Sequence, residues 1–189
     1  LLKDKKKSYL WAFIDPLQDI FSRKSLEQFS LRPAPLFFNC RNTKEIAKFS
    51  YGWVDDKPHM HPESPQGEEV EDIYYKDNHE QLDKLSDLLQ ELLSDQKVLA
   101  KDIVVLTGVS HNKSPVWKMR DSLPEGMKLT KTRGRKQRNN IYFTSIWRFK
   151  GLDSKIVIMC DLKSTLDDNV MYCGSSRAKH RLYLLNSTS

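Results

Sequence analysis

The sequence predicts an α/β fold, a parallel sheet covered by helices on both faces. Three observations carry this. Strand-like and helix-like segments alternate nearly throughout; the strand-like segments are continuous apolar runs, as in strands buried on both faces; and each is closed by turn or cap residues.

In chain order, Tyr9 to Ile14 forms an apolar, aromatic strand that Asp15-Pro16 ends, leaving Asp15 and Gln18 just past it. Ser22 to Arg32 is polar, a loop or short helix. Ala34 to Phe38 is a second strand, and Asn39-Cys40-Arg41-Asn42-Thr43 then opens a helix with Asn42 or Thr43 as N-cap and Ile46, Phe49 and Trp53 on one face. This puts Arg41 at a strand-to-helix junction. Asp55 to Glu69 is an irregular connection; its His59 and His61 have no third ligand at a convincing spacing and are loop histidines. Val70 to Tyr75 is a strand, Asn78 to Gln81 matches a capping box, and Leu82, Leu85, Leu88, Leu89, Leu92 and Leu93 form the apolar face of a helix that packs on the sheet. Asp102 to Leu106 is a buried strand ending at Thr107-Gly108. A short helix over Val116 to Leu123 and a strand over Met127 to Thr130 follow. The stretch Phe143 to Asp153 is an apolar strand and a basic turn, followed by the apolar run Ile156 to Cys160. A helix over Asp168 to His180 and a strand over Arg181 to Leu185 close the chain.

Length suits one domain, or one domain with an arm, since 189 residues can bury a sizeable core. A net charge of +6 and a pI near 9.1 favour a polyanionic partner, nucleic acid ahead of a membrane surface. Lys131, Arg133, Arg135, Lys136 and Arg138 fall in one segment without an acid, which reads equally as a nucleic-acid contact or as a solvated loop. Three widely spaced cysteines argue for a reducing compartment, and against disulfides or a zinc site. No apolar run reaches membrane-span length and the amino-terminal residues are no signal peptide, so the expectation is an intracellular protein; a first residue Leu suggests a piece of a longer chain.

Polar or basic groups follow strands or open helices at Asp15/Gln18, Arg41, Lys150/Asp153 and Ser176/Arg177, and in a doubly wound sheet such ends converge on one edge. Two arginines, a lysine, an amide and carboxylates are what a nucleoside triphosphate site uses against charge on the γ-phosphoryl group.

On these segments the chain resembles the carboxyl-terminal portion of UvrD/Rep-like superfamily 1 helicases. Ile14-Asp15-Pro-Leu-Gln18-Asp-Ile-Phe21 resembles motif III. Asn39-Cys-Arg41-Asn-Thr43 resembles motif IV, Ser145-Ile-Trp-Arg-Phe-Lys150-Gly-Leu-Asp153 motif V, and Tyr172-Cys-Gly174-Ser-Ser-Arg177-Ala-Lys179 motif VI, all in the family's order. The resemblance implies a RecA-like second motor domain over residues 31–189, preceded by a remnant of the first over 1–30. It implies catalytic roles for Gln18, Arg41 and Arg177, with Gln18 sensing the γ-phosphate and the two arginines as fingers. Gly151 and Asp153 would join them in binding the nucleotide, Asp153 at the position of a Glu that contacts the sugar. Ser145, Trp147, Lys150 and the basic-loop Arg133, Arg135 and Arg138 would contact single-stranded DNA. The sequence departs from the family at Ile14 for Gly, Arg23 for an aromatic residue, Asp153 for Glu and Trp147 for His.

A Walker A loop is absent: none of the seven glycines is followed by Lys, and no apolar run ends in Asp-Glu. The expectation is therefore an ATP-dependent DNA helicase or translocase as the whole protein, inactive as this piece, with ATP and Mg2+ held mainly by an upstream first domain. The expected location is cytoplasmic, nucleoid-associated if bacterial. A non-catalytic nucleic-acid-binding or regulatory module with a helicase-like fold, or a plain structural α/β domain, stays open.

Overall fold

The structure is a computed structural model that describes residues 38–132 and 140–188. The motif III match with Asp15 and Gln18, the whole of residues 1–30, and Arg133, Arg135 and Arg138 lie outside the described residues.

The elements run β1 (Phe38–Asn39), α1 (Lys44–Ser50), β2 (His59–Met60), β3 (Glu71–Tyr75), α2 (Asn78–Gln90), β4 (Ile103–Thr107), α3 (Pro115–Lys118), β5 (Lys128–Thr130), β6 (Asn140–Ser145), α4 (Ile146–Phe149), β7 (Ser154–Cys160), α5 (Asp168–Ser175) and β8 (Ala178–Ser187). Among the described residues, six strands pair in the order β3-β8-β7-β4-β6-β5, every pairing parallel. The fold is thus α/β with a parallel sheet, as the continuous apolar runs predicted. β1 stands apart and pairs with β2 in a two-stranded ribbon, so the described end of the expected second strand does not join the main sheet.

Strand alternation feeds two cores. Ile103, Val105, Ile141, Phe143, Ile156 and Ile158 face the leucines of α2 and Val116 of α3. Val104, Leu106, Val157, Met159, Leu182 and Leu184 face Ile46 of α1, Ile146 and Phe149 of α4, and Val170, Met171 and Cys173 of α5. Both faces are therefore covered by helices, and the leucine stripe of α2 is consumed inside the domain.

Local chemistry shifts several predicted boundaries. The N-cap of α2 is Asp77, whose Oδ1 accepts from the N–H groups of His79 and Glu80 at 2.9 Å each; Glu80 reaches back to the N–H of Lys76 at 2.8 Å, so the box begins one residue earlier than expected. The expected helix over Val116 to Leu123 is a single turn, α3, followed by a 3-10 turn at Arg120–Ser122. The last helix stops at Ser175 rather than His180. There the poor helix formers Gly174, Ser175 and Ser176 give way to strand pairing, and the Ser154 N–H donates to the Arg177 carbonyl at 3.1 Å.

The start of α1 is held by a returning loop. Thr43 is its N-cap, and the next donors, the N–H groups of Lys44 and Glu45, are taken by the carbonyls of Pro65 and Gln66 at 2.9 and 3.1 Å. Gly67 makes that approach possible: its φ is +81°, and a Cβ there would lie 2.4 Å from Thr43 Cβ and Oγ1. Gly67→Ala should therefore destabilise the domain by more than about 1 kcal/mol, seen as a lowered midpoint in thermal unfolding; an unchanged midpoint would dissociate the loop from the helix start.

Candidate functional site

The sheet has two edges, and the sequence-predicted residues divide between them. Asp153 immediately precedes β7 and Arg177 immediately precedes β8, so both stand at the amino edge. Ser145 ends β6 in register with Thr107 at the end of β4, which is paired in turn with Cys160, and these stand at the carboxyl edge. Asp153 and Arg177, two of the groups expected to converge on one edge, thus share the amino edge, ahead of strands rather than past them. The cause is the short α4, which carries the chain from the end of β6 to the start of β7 within the Ser145–Asp153 stretch. Gly151, at φ +84°, makes the turn.

At the amino edge the organising group is Asn42. Its side chain is 3% exposed and its Nδ2 donates to the carbonyls of Ser176, at 3.0 Å, and Ala178, at 2.5 Å. Its Oδ1 accepts from Asn39 Nδ2 at 2.8 Å, and Asn39 Oδ1 accepts the N–H of Arg41 at 2.9 Å. These bonds seat Arg41 beside the segment that carries Arg177. Arg41 is exposed. Arg177 is 2% exposed, and its guanidinium donates to the carbonyls of Cys173 and Leu152, at 3.0 and 3.3 Å, and to Ser176 Oγ at 3.0 Å. Asp153 pairs with Lys179 at 2.9 Å, both about two-fifths exposed. Lys150 is partly exposed, and Gly151 is exposed. Arg41, Arg177, Gly151 and Asp153 thus share one neighbourhood, in which Arg41 is exposed and Arg177 is bonded inward. Among the described residues no group of three or more His, Cys, Asp or Glu side chains is placed to hold a metal ion.

The carboxyl edge holds a polar cluster that spacing did not single out. Asp161, 6% exposed and in the left-handed region at φ +52°, follows β7; its Oδ2 accepts from Thr107 Oγ1 at 2.7 Å and Ser114 Oγ at 2.5 Å. Ser114 caps α3 by accepting the Trp117 N–H at 3.0 Å, so one carboxylate ties the end of β4 to the start of α3. The signal available was the position of Asp161 and Thr107 directly after apolar runs. For Asn42 there was less: a residue weighed as a helix cap gave no hint that its side chain would turn to the other end of the chain.

The segment between those anchors presents His111 and Trp117, ring centroids 4.1 Å apart, both against Phe143. Both ring nitrogens of His111 are buried without a partner among the described residues. Burial, then the charges of Lys131, Arg148 and Arg120, push its pKa down to about 4. Cys160, buried beside the Asp161 carboxylate, is pushed well above the usual thiol value. Ser145 is buried, and Trp147 packs partly buried against the α1/α5 core, on the opposite sheet face from Trp117.

No family model and no curated protein matches the chain. Among solved structures it is similar to the C-terminal domain of a possible DNA helicase from Lactobacillus plantarum WCFS1, at 20% identity and a TM-score of 0.57. That likeness covers 79% of this chain and 88% of that one, and at such identity it establishes the fold. No helix among the described residues is long and apolar enough to cross a membrane.

Two outcomes follow. Asn42→Ala leaves two buried carbonyls without their donor and should cost about 1–3 kcal/mol in chemical unfolding; no loss would show that water replaces the amide. For His111, a folded pKa below the unfolded 6.5 means that the unfolded chain binds the extra proton. The His111 contribution therefore falls as pH drops from about 6.5 to about 4. His111→Phe keeps a ring and should lose less stability than the wild type across that window in urea titrations at stepped pH; parallel losses would overturn the assignment.

Proposed function

We propose that this chain is the second motor domain of an ATP-dependent DNA helicase or translocase. In this reading an upstream RecA-like domain of the same polypeptide holds the phosphates and Mg2+. The observation that carries the reading is the Asn42 amide, which seats the Arg41 junction against the segment bearing Arg177 and, through the Leu152 carbonyl, beside the Gly151–Asp153 turn. The motifs that resemble those of superfamily 1 helicases are far apart in sequence, and three of them meet here. The solved structure described as the C-terminal domain of a possible DNA helicase supports the reading at the level of fold.

The two arginines take different parts. Arg41 is exposed two residues ahead of the α1 N-cap, and in this reading it reaches a phosphate across the domain cleft. Arg177, with bonds to Cys173, Leu152 and Ser176, braces the turn in the described state and would have to leave some of those partners to touch the same phosphate. Gln18 would complete the site from the first domain. ATP binding would draw the domains together and hydrolysis would release them, moving the protein along a single strand. Ser145, Trp147, Lys150, Arg133, Arg135 and Arg138 are the strand contacts that the resemblance implies.

The inward bonding of Arg177 also suits a second reading, a nucleic-acid-binding or regulatory module that keeps the fold without the motor. One measurement separates them. In the polypeptide carrying both domains, Arg41→Ala should leave the unfolding midpoint unchanged and lower the ATPase kcat about a thousandfold. An unchanged kcat, or an upstream sequence without a Walker A lysine, would leave the non-catalytic module.

A further inference from the structure

We propose that Asn39 and Asn42 are positioning residues. Their side-chain amides set Arg41 and Arg177 against each other so that the two arginines act on one phosphate as a unit, Arg177 engaging by rotation of its side chain about a fixed backbone. The proposal deepens the motor reading above and rests on it.

The two amides form a continuous relay. Asn39 Oδ1 accepts the backbone N–H groups of Arg41, at 2.9 Å, and of Asn42, at 3.3 Å. Asn39 Nδ2 donates to Asn42 Oδ1 at 2.8 Å and to the Tyr51 hydroxyl at 3.0 Å, and that hydroxyl donates to Met60 Sδ at 3.6 Å. Asn42 Nδ2 ends the relay on the carbonyls of Ser176 and Ala178, the residues on either side of Arg177. Three elements hold the pair: β1 carries Asn39, the 3-10 turn after α1 carries Tyr51, and β2 carries Met60. The buried Asn42 amide donates twice and accepts once, so it cannot turn without breaking all of these bonds.

The backbone beyond the relay is held as firmly. The Arg177 N–H donates to the Gly174 carbonyl at 3.2 Å, and the Arg177 carbonyl accepts the Ser154 N–H at 3.1 Å, where Ser154 pairs with Ala178 between β7 and β8. Residues 176–178 are therefore bonded to the entry of α1 on one side and to β7 on the other. This fixes the pivot of Arg177. Its guanidinium, turned to the Cys173 and Leu152 carbonyls and to Ser176 Oγ, reaches a new partner by changing rotamer rather than by moving the chain. Those acceptors are neutral, whereas a phosphate is charged and can take two guanidinium N–H groups at once. The exposed Arg41 is placed by the same relay through its backbone N–H, so a displacement of Asn42 moves both arginines relative to the phosphate.

The test uses the polypeptide that carries both domains, with steady-state ATPase measured over a range of ATP concentrations well below the unfolding midpoint of every variant. Asn42→Ser should lower kcat about a hundredfold, the cost of misplacing reacting groups by about 1 Å, with KM for ATP little changed. In an Arg41→Ala background the same substitution should cost no more than about twofold, because groups that act as a unit are not additive. A purely structural role would cost the same factor in both backgrounds. Asn39→Asp keeps the acceptor for the Arg41 N–H and removes the donor to Asn42; at a half-buried position it serves where Asn42→Ser does not fold, and should lower kcat with the same dependence on Arg41. Equal losses in both backgrounds, or a wild-type kcat in both folded variants, would overturn the positioning role and leave the motor reading intact. A wild-type polypeptide without ATPase activity would overturn the motor reading and this proposal with it.

Discussion

Much of this structure hangs on one primary amide. Asn42 has two donors, both spent on carbonyls that flank Arg177, and an acceptor spent on Asn39. No charged side chain could do this in the same place: a carboxylate would present acceptors to acceptors, and an ammonium would carry an uncompensated charge into a buried site. The bonds span 134 and 136 residues of sequence. They fix α1 against the junction between α5 and β8, and so determine which faces of the arginine-bearing segments meet.

From that corner the rest of the domain reads as a division of labour between sheet edges. The amino edge has Asp153, Lys179 and the two arginines, and the carboxyl edge has Asp161 with its hydroxyl partners and the aromatic cluster over Phe143. Between them runs the chain from Ser145 to Asp153, where a single helical turn with Ile146 and Phe149 fully buried leaves little slack. A displacement at one end of such a packed segment cannot be absorbed within it, because close-packed interiors shift between arrangements rather than deform continuously.

The layered sheet was legible because its signal is local and repeated. Continuous apolar runs such as Ile103 to Leu106 and Ile156 to Cys160 have no other stable home than a strand buried on both faces. Boundaries were legible only where side-chain chemistry sets them; Asp77 captured the cap of α2 from Asn78 because its carboxylate takes two N–H groups at once. The last helix was overestimated because strand pairing at Ser154, distant in sequence, outweighs the preferences of Ala178 to His180. The same limit applies to the site. Arg41, Asp153 and Arg177 were singled out by their places beside strands and helix starts and by motif order, whereas the partners that position them, Asn42 and the Leu152 and Cys173 carbonyls, are defined by tertiary contact.

The strand order has a consequence for how the domain comes into being. β8 lies between β3 and β7, and among the described residues β3 has no other neighbour in the sheet. Among the described strands of the main sheet, β3 comes first in the chain and pairs with β8, which comes last among them. Loop-closure entropy must be met across more than a hundred residues before that pairing yields anything, which is the signature of slow, non-local assembly. Until Ala178 to Ser187 is in place, β3 and β7 each expose an open edge to other chains, and a partly folded domain in that state is prone to aggregate.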